Sequence, residues 1–299
     1  MCCSSGSSGN IYNWSSSQQN TSQVLLSMQS SIMDLLSTRL SPEQLQANYH
    51  KLDLHKKSSF SIRLLQLDTS QPDNQQYVPN SSLMNFIDMS RFQRVKKDGS
   101  SQVKLQLELL DVLHKELIQG LQELEYILAQ KGGVFHQLSG AEVHEKIRSL
   151  QEAAENFDAV MIPGKLCVKH KLIPEPESSS LPQFQLVLEA KKPVLFNREK
   201  SQAFCDSVVL HWYIAEQEQY NPNERFKVCY RATDRTKMTN PRVLRYVSCS
   251  RFSVTINNLM PECSYEFSVK RLDNIWLVYM DWNDTIILRT TSPHTMTTS

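Results

Sequence analysis

Glycine is scarce in this chain, and its scarcity excludes several kinds of site. Only 8 of the 299 residues are glycine, and no Gly-x-Gly-x-x-Gly, Gly-x-x-x-x-Gly-Lys or Gly-x-Ser-x-Gly pattern occurs. Loops that cradle phosphates, and turns that expose a nucleophilic serine, depend on glycines at those spacings. We therefore expect neither a nucleotide-binding loop nor a hydrolase nucleophile.

An excess of one charge sign is also lacking. Lysine plus arginine total 32 and aspartate plus glutamate total 31, which leaves a formal net charge of +1. A protein that binds nucleic acid through its phosphates normally carries a basic footprint. We therefore expect no nucleic-acid partner.

Long apolar runs are absent as well. No stretch of about 20 consecutive apolar residues occurs, so no membrane-spanning helix is expected. The first ten residues, MCCSSGSSGN, have neither a basic start nor an apolar stretch, and a secretory signal needs both. We therefore expect a cytoplasmic location in which the 7 cysteines are free thiols. The sequons at Asn13, Asn20, Asn80 and Asn283 would then be unused.

Patterns typical of catalysis and metal binding are missing too. No Cys-x-x-Cys pair occurs, and His136 and His144 have no carboxylate arrangement beside them that suggests a metal. We expect no metal, no cofactor and no enzymatic activity. Cys2 and Cys3 directly follow Met1 and could carry an acyl group that tethers the chain to a membrane. The simpler interpretation is that Cys2 and Cys3 belong to a disordered tail without an acyl group.

Composition and periodicity divide the chain into five parts. Residues 1–20 are rich in serine, glutamine and asparagine, which predicts a disordered tail. Residues 21–160 show helical periodicity and predict a helical bundle. Residues 161–190 predict short strands and a linker with proline and serine, residues 191–292 a β-sandwich, and residues 293–299 a second tail. The predicted fold class is therefore multidomain, α followed by β.

The strongest helical pattern covers about residues 101–131. Its apolar residues alternate four and three apart along a heptad-like seam, which His114 interrupts. The seam consists of Val103, Leu107, Leu110, His114, Leu117, Leu121, Leu124 and Leu128. Because Leu113, Ile118 and Ile127 widen the stripe, the pattern favours a bundle within the chain over an isolated two-stranded coiled coil.

Among the weaker helical segments that precede this one, two have a recognisable start or end. Ser41 and Gln44 form a capping box that starts the first, and its apolar residues continue to Leu67. The second covers about residues 82–96, and we expect it to end at Asp98-Gly99.

The last third of the chain contains short alternating strands separated by turns. Trp212 occupies an inward position in one strand, and a second strand ends in Tyr230. A Leu259-x-Pro261-x-x-x-Tyr265 element follows. In a tyrosine corner, the hydroxyl of such a tyrosine bonds back to the backbone and pins the crossing between two sheets.

This ordered set, spread over about 100 residues, resembles the fibronectin type III domain. The resemblance implies a β-sandwich that binds other molecules and catalyses nothing. An immunoglobulin domain would need a cysteine on each of two facing strands, and neither Ser207–Ile214 nor Tyr265–Arg271 contains one. The family's glycine-rich turn after Leu-x-Pro is replaced by Glu262-Cys263-Ser264.

The segment before the last strand is unusually apolar. It crowds together Trp276, Leu277, Tyr279, Met280 and Trp282, where related domains carry short polar or small residues. Aromatic residues and methionine are enriched in interface cores, so the segment is a candidate site for a protein partner. The alternative is packing on the helical region of the same chain, since large exposed apolar patches are rare.

Two classes of function are compatible with this organisation. The first is an intracellular scaffold or adaptor, associated with the cytoskeleton by analogy of architecture, whose two regions bind proteins. The second is an extracellular adhesion or receptor protein. The missing signal and membrane span and the odd number of cysteines argue against the second class.

Overall fold

Four helices precede most of the strands in the computed structural model. It describes residues 12–67, 76–77, 87–129, 140–167, 183–216, 224–234, 244–272 and 275–293. The helices are α1 (Tyr12–Ser37), α2 (Pro42–Lys56), α3 (Met89–Ala129) and α4 (Gly140–Val160). The expected fold class, a helical region followed by a β-sandwich, is confirmed.

Twelve strands are formed by the described residues. In the N-terminal region they are β1 (Ser59–Leu67) and β2 (Gln76–Tyr77). The others are β3 (Gln183–Lys191), β4 (Val194–Phe196), β5 (Gln202–Ala203), β6 (Val208–Ile214), β7 (Phe226–Ala232), β8 (Arg245–Cys249), β9 (Ser253–Ile256), β10 (Ser264–Arg271), β11 (Leu277–Tyr279) and β12 (Asp284–Arg289).

The chain divides into two compact units, and the first is helical. It comprises residues 1–52 and 106–162. Its buried core is drawn from all four helices and consists of Met28, Ile32, Leu35, Leu40, Leu45, Leu52, Leu110, Leu113, Leu117, Leu124, Val143, Ile147, Leu150, Ala153, Ala154 and Phe157. His114 of the seam is buried here, with its ring between those of Tyr49 and Phe157.

Two helix boundaries expected from the sequence are wrong. Helix α1 begins at Tyr12, so residues 12–20 of the expected tail are helical, and neither glycine nor proline interrupts the helix as far as Ser37. Helix α3 runs through Gly99 without a break. One glycine inside a helix costs about 1 kcal/mol, which the packing of a long amphipathic helix can offset. Residues 1–11 and 82–86 lie outside the described residues.

The second unit comprises residues 53–105 and 163–299 and contains every strand. Strand β1 corrects the helical interpretation of the segment ending at Leu67. It pairs along its full length with β3, from Ser59 opposite Lys191 to Leu67 opposite Gln183. The side chains of Phe60, Ile62 and Leu64 are buried, as the alternation of a strand requires.

Strand β1 is central in a small antiparallel sheet of four strands. One edge of β1 pairs with β3, and the other pairs with β11 and β2. The strand expected near residues 165–172 is reduced to a single bridge between Lys165 and Val187, and residues 168–182 lie outside the described part of the chain. Strand β3 agrees with the short strands expected within residues 161–190.

The rest of the second unit is a two-layer sandwich. One sheet has the strand order β12-β10-β7-β8, and the other has the order β4-β6-β5 with β9 paired to β6. Their inward side chains form one buried cluster: Val194, Phe196, Val208, Leu210, Trp212, Ile214, Phe226, Val228, Ala232, Ile256, Leu259, Cys263, Tyr265, Phe267, Val269 and Ile286. Of the expected C-terminal tail, residues 294–299 lie outside the described residues.

Candidate interaction site

The apolar segment Trp276–Trp282 is held against other parts of the second unit. The backbone N–H of Ile62 donates to the carbonyl oxygen of Trp276 at 2.9 Å, and Tyr279 is the register partner of Phe60. The Trp276 ring lies edge-on to Phe92 of α3, with 4.8 Å between centroids, and only 7% of the residue is exposed.

The remaining apolar side chains of this segment are half-buried. Val278 lies beside Gly99 of α3, and the Tyr279 ring contacts Phe60 at 6.0 Å between centroids. Burial, with a contribution from Asp281, raises the pKa of the Tyr279 hydroxyl. Trp282 receives the ammonium of Lys57 over its ring, 5.4 Å from the centroid.

These contacts support the intramolecular alternative for Trp276, and partner binding by the segment stays a prediction. The cover is strand β1 and the first part of α3. Leu277 and Met280 are also half-buried beside this cover, and Leu277 is paired with Ser61. Periodicity could not identify the cover, because β1 lies more than 200 residues away along the chain.

The residues that carried the family resemblance lie inside the sandwich. The backbone N–H of Met260 donates to the Tyr265 hydroxyl at 2.9 Å, which is the bond of a tyrosine corner. Leu259 is buried beside it, whereas Pro261 is exposed in the turn. Burial raises the pKa of Tyr265, and the bond from Met260 opposes that rise.

Two further aromatic residues occupy the positions that the strand pattern indicated. Trp212 is buried edge-on to Phe226, with 5.8 Å between ring centroids. Tyr230 is half-buried and stacks on Phe267 at 5.9 Å. At the corner, Glu262 adopts a φ of 51°, a conformation that the glycine usual in the family would adopt without strain.

An ion pair that the sequence did not indicate joins the first and last strands of the sandwich. Both guanidinium NH2 groups of Arg198 donate to the Asp284 carboxylate, at 2.9 and 3.1 Å. The same carboxylate accepts the backbone N–H of Phe196 at 2.6 Å. The hydrogen bond to Asp284 raises the pKa of Arg198. This pair holds β4 beside β12.

The outward face of the sheet β12-β10-β7-β8 carries large exposed side chains. Ile287 is opposite Glu266 on β10, and Tyr246 is opposite Cys229 on β7. Ile287 is 65% exposed and Tyr246 is 66% exposed, and Leu244 beside β8 is similarly open. The Lys227 ammonium lies 4.7 Å from the centroid of the Tyr246 ring. We call this surface the outer face.

Sequence reasoning missed the outer face, although a signal was present. The inward positions of β7 and β10 were recognised by their alternation, so the outward positions were also known. Ile287 lies between Ile286 and Leu288 in an apolar run, however, and a single exposed apolar residue such as Tyr246 is common on a surface. Only the register of the sheet shows that they share one face.

The described residues lack the features of a metal centre and of a membrane-spanning helix. They contain no cluster of three or more histidine, cysteine, aspartate or glutamate side chains that could hold a metal ion. Within the same ranges, every helix is too short or too polar to cross a membrane.

Comparison with known proteins identifies relatives over most of the chain. The model described as "Family of unknown function (DUF5581) N-terminal domain" matches residues 18–186, and the corresponding "Fn3-like domain" matches residues 191–297. Fibronectin type III domain-containing protein 11 of Bos taurus and that of Homo sapiens are each 30% identical over 259 residues. The matches cover 87% of this chain and 77% and 81% of those relatives.

A solved structure, the FN5 domain of Drosophila Lar, is 12% identical and similar to part of this chain. The match covers 31% of this chain and 90% of that chain, with a TM-score of 0.24. This likeness adds nothing to the sheet topology described above.

Proposed function

We propose that this chain, which belongs to the DUF5581 family and is a relative of fibronectin type III domain-containing protein 11, is a non-catalytic protein-interaction protein. Its type III domain supplies the recognition surface, and its helical region supplies a second contact region for a scaffold or adaptor. The single observation that carries the proposal is the exposure of Tyr246 and Ile287 on the outer face.

The outer face suits recognition for two physical reasons. It lies on a four-stranded sheet whose opposite side is the closely packed sandwich core, so its side chains are presented on a rigid support. Tyrosine and arginine are the residue types that contribute most to binding energy at protein interfaces, and Tyr246 and Arg231 are both exposed here.

The proposed location is a reducing compartment such as the cytoplasm. Cys167, Cys205, Cys229, Cys249 and Cys263 are all free thiols. Secreted domains usually pair their cysteines in disulfides. The extracellular alternative predicts glycans at exposed sequons such as Asn283, so mass spectrometry of the native protein distinguishes the two locations.

Affinity purification tests the proposed function. The tagged full-length protein and a Tyr246→Ser/Ile287→Ser variant are purified from the same cells, and the co-purifying proteins are compared by quantitative mass spectrometry. We expect a reproducible set of proteins with the wild type that is depleted at least about tenfold with the variant. The same data show whether cytoskeletal proteins belong to that set. The proposal fails if no protein is enriched, or if the double substitution leaves the set unchanged.

A further inference from the structure

The two edges of the sheet that bears the outer face differ in availability. Strand β12 packs beside β4 and β5 of the other sheet, and the Arg198–Asp284 pair fastens it there. Strand β8 pairs with β7 on one side, and within the described residues no strand pairs with its other side. An edge strand of this kind presents backbone N–H and C=O groups that can pair with another chain.

The surroundings of β8 are basic. Arg245 and Arg251 are exposed at and just after this strand, and Lys227 and Arg231 project from β7. Strands β7 and β8 contain no acidic residue. The 27 residues from Arg235 to Pro261 include five basic residues and no acidic one. This local excess stands out against a net charge of only +1 for the whole chain.

The acidic side chain on the outward positions of the neighbouring strand β10 is already neutralised. Glu266 accepts from the guanidinium of Arg231 at 2.5 Å. Asp234, just beyond β7, accepts the backbone N–H of Ser264 at 3.1 Å. The charge of Glu266 is therefore balanced by Arg231, and Arg245, Arg251 and Lys227 remain as cations beside β8.

We propose that strand β8 binds an extended acidic segment of a partner protein, which adds one strand to the sheet. This inference rests on the proposed function and names the chemistry of its partner. The incoming backbone pairs with the open side of β8, carboxylates on the segment approach Arg245 and Arg251, and an apolar side chain of the segment packs on Tyr246. Main-chain bonds then supply affinity, and alternate side chains supply selectivity.

A peptide fits these features better than a nucleic acid does. The open side of β8 offers backbone N–H and C=O groups at the spacing of another peptide strand. A phosphate backbone has no donors and acceptors arranged at that spacing. Leu244 and Tyr246 are exposed on one side of the chain, and Arg245 alternates with them onto the other side. Carboxylates spaced two residues apart would lie on one face of an added strand, towards the arginines.

Fluorescence anisotropy with the full-length protein tests the proposal. The probe is a labelled peptide of about ten residues in which glutamate alternates with valine and threonine. The first comparison peptide has lysine in place of glutamate, and the second is the acidic peptide N-methylated at alternate backbone nitrogens. We expect binding of the acidic peptide that weakens as salt rises, and no binding of either comparison peptide.

Matched substitutions localise the binding. Tyr246→Ser and Arg245→Glu should each weaken binding of the acidic peptide by about tenfold or more. Thr285→Ala and Arg289→Glu lie on β12 of the same sheet, and both residues are exposed, so these variants should change binding less than about twofold. Thermal unfolding shows whether all four variants keep the wild-type stability.

Several results would overturn the inference. One is equal binding of the lysine peptide or of the N-methylated peptide, and another is an equal loss with the β12 variants. Tighter binding of a labelled single-stranded RNA that Arg245→Glu abolishes would assign the site to nucleic acid. If the acidic peptide does not bind while the co-purifying proteins still depend on the outer face, the acidic-strand inference fails and the proposed function stands.

Discussion

Two apolar segments of the type III domain have opposite environments. Trp276 begins the segment that contains β11 and is 7% exposed, whereas Tyr246 of β8 is 66% exposed. The β11 segment is much richer in apolar residues, and it is the one that the same chain covers, through β1 and α3. The β8 segment contains Arg245 and Ser248 beside its three less polar residues and stays open. The segment with more apolar residues, which contains β11, is therefore buried by other parts of the chain. Strand β8, which is less apolar and carries a charge, remains accessible.

The largest expected loss in the free energy of unfolding comes from removing a contact that buries the β11 segment. Trp276→Ala removes a buried aromatic ring from its contact with Phe92, and such truncations cost roughly 3–5 kcal/mol. Urea unfolding of the full-length protein, followed by circular dichroism, measures the loss. A loss below about 1 kcal/mol would show that Trp276 is not part of a packed core and would favour the partner-binding interpretation.

The second prediction concerns pH and the same cover. His55 is buried edge-on to Phe60, with 5.1 Å between ring centroids, and Phe60 in turn contacts Tyr279. Burial, with a smaller contribution from the charge of Lys192, lowers the pKa of His55 from its ordinary value of 6.5 to about 4. The neutral imidazole is therefore the form that the folded protein accommodates.

The sign of the pH effect follows from this depressed pKa. Above about pH 6.5 the histidine is neutral in both states and its contribution to stability is complete. As the pH falls from 6.5 towards 4, the unfolded chain takes up a proton that the folded protein does not, so the free energy of unfolding decreases by up to about 3 kcal/mol. Urea titrations across this range measure the loss. The matched variant His55→Leu should show a shallower loss, and identical pH profiles for the two proteins would contradict the assignment to His55.

The smallest effect is expected at β8. Tyr246→Ala removes a side chain that lies mostly in water, so the free energy of unfolding should change by less than about 0.5 kcal/mol. The same urea series compares it directly with Trp276→Ala. A loss above about 2 kcal/mol would mean that Tyr246 is structural, and the contrast between the two segments would then disappear.

Much of the fold could be predicted because its signals are local. The inward alternation of Val208 to Ile214 and the Leu259-x-Pro261-x-x-x-Tyr265 element lie within single strands or turns, and the structure places these side chains in the sandwich core, with Pro261 in the turn. The seam of α3 is also a local pattern, and its residues are buried or half-buried along the helix. Short-range periodicity reports which side of an element faces a core.

The errors occurred where neighbours distant in sequence decide the outcome. Ser59–Leu67 is compatible with a helix or a strand when considered alone, and its pairing with β3 selects the strand. Gly99 is a plausible helix end, yet α3 continues through it and lies against Val278. In both places the decisive contacts are with residues more than 100 positions away.

By itself, the amino-acid sequence determined the class of the helices and of most sandwich strands, the identity of the sandwich and the need to cover the segment from Trp276 to Trp282. The tertiary structure alone decided that β1 and Phe92 provide the cover and that Tyr246 lies on a sheet edge with an open side. The physical reason is that side-chain periodicity is set by neighbours along the chain. The pairing of backbone N–H and C=O groups between strands depends instead on which distant strands meet.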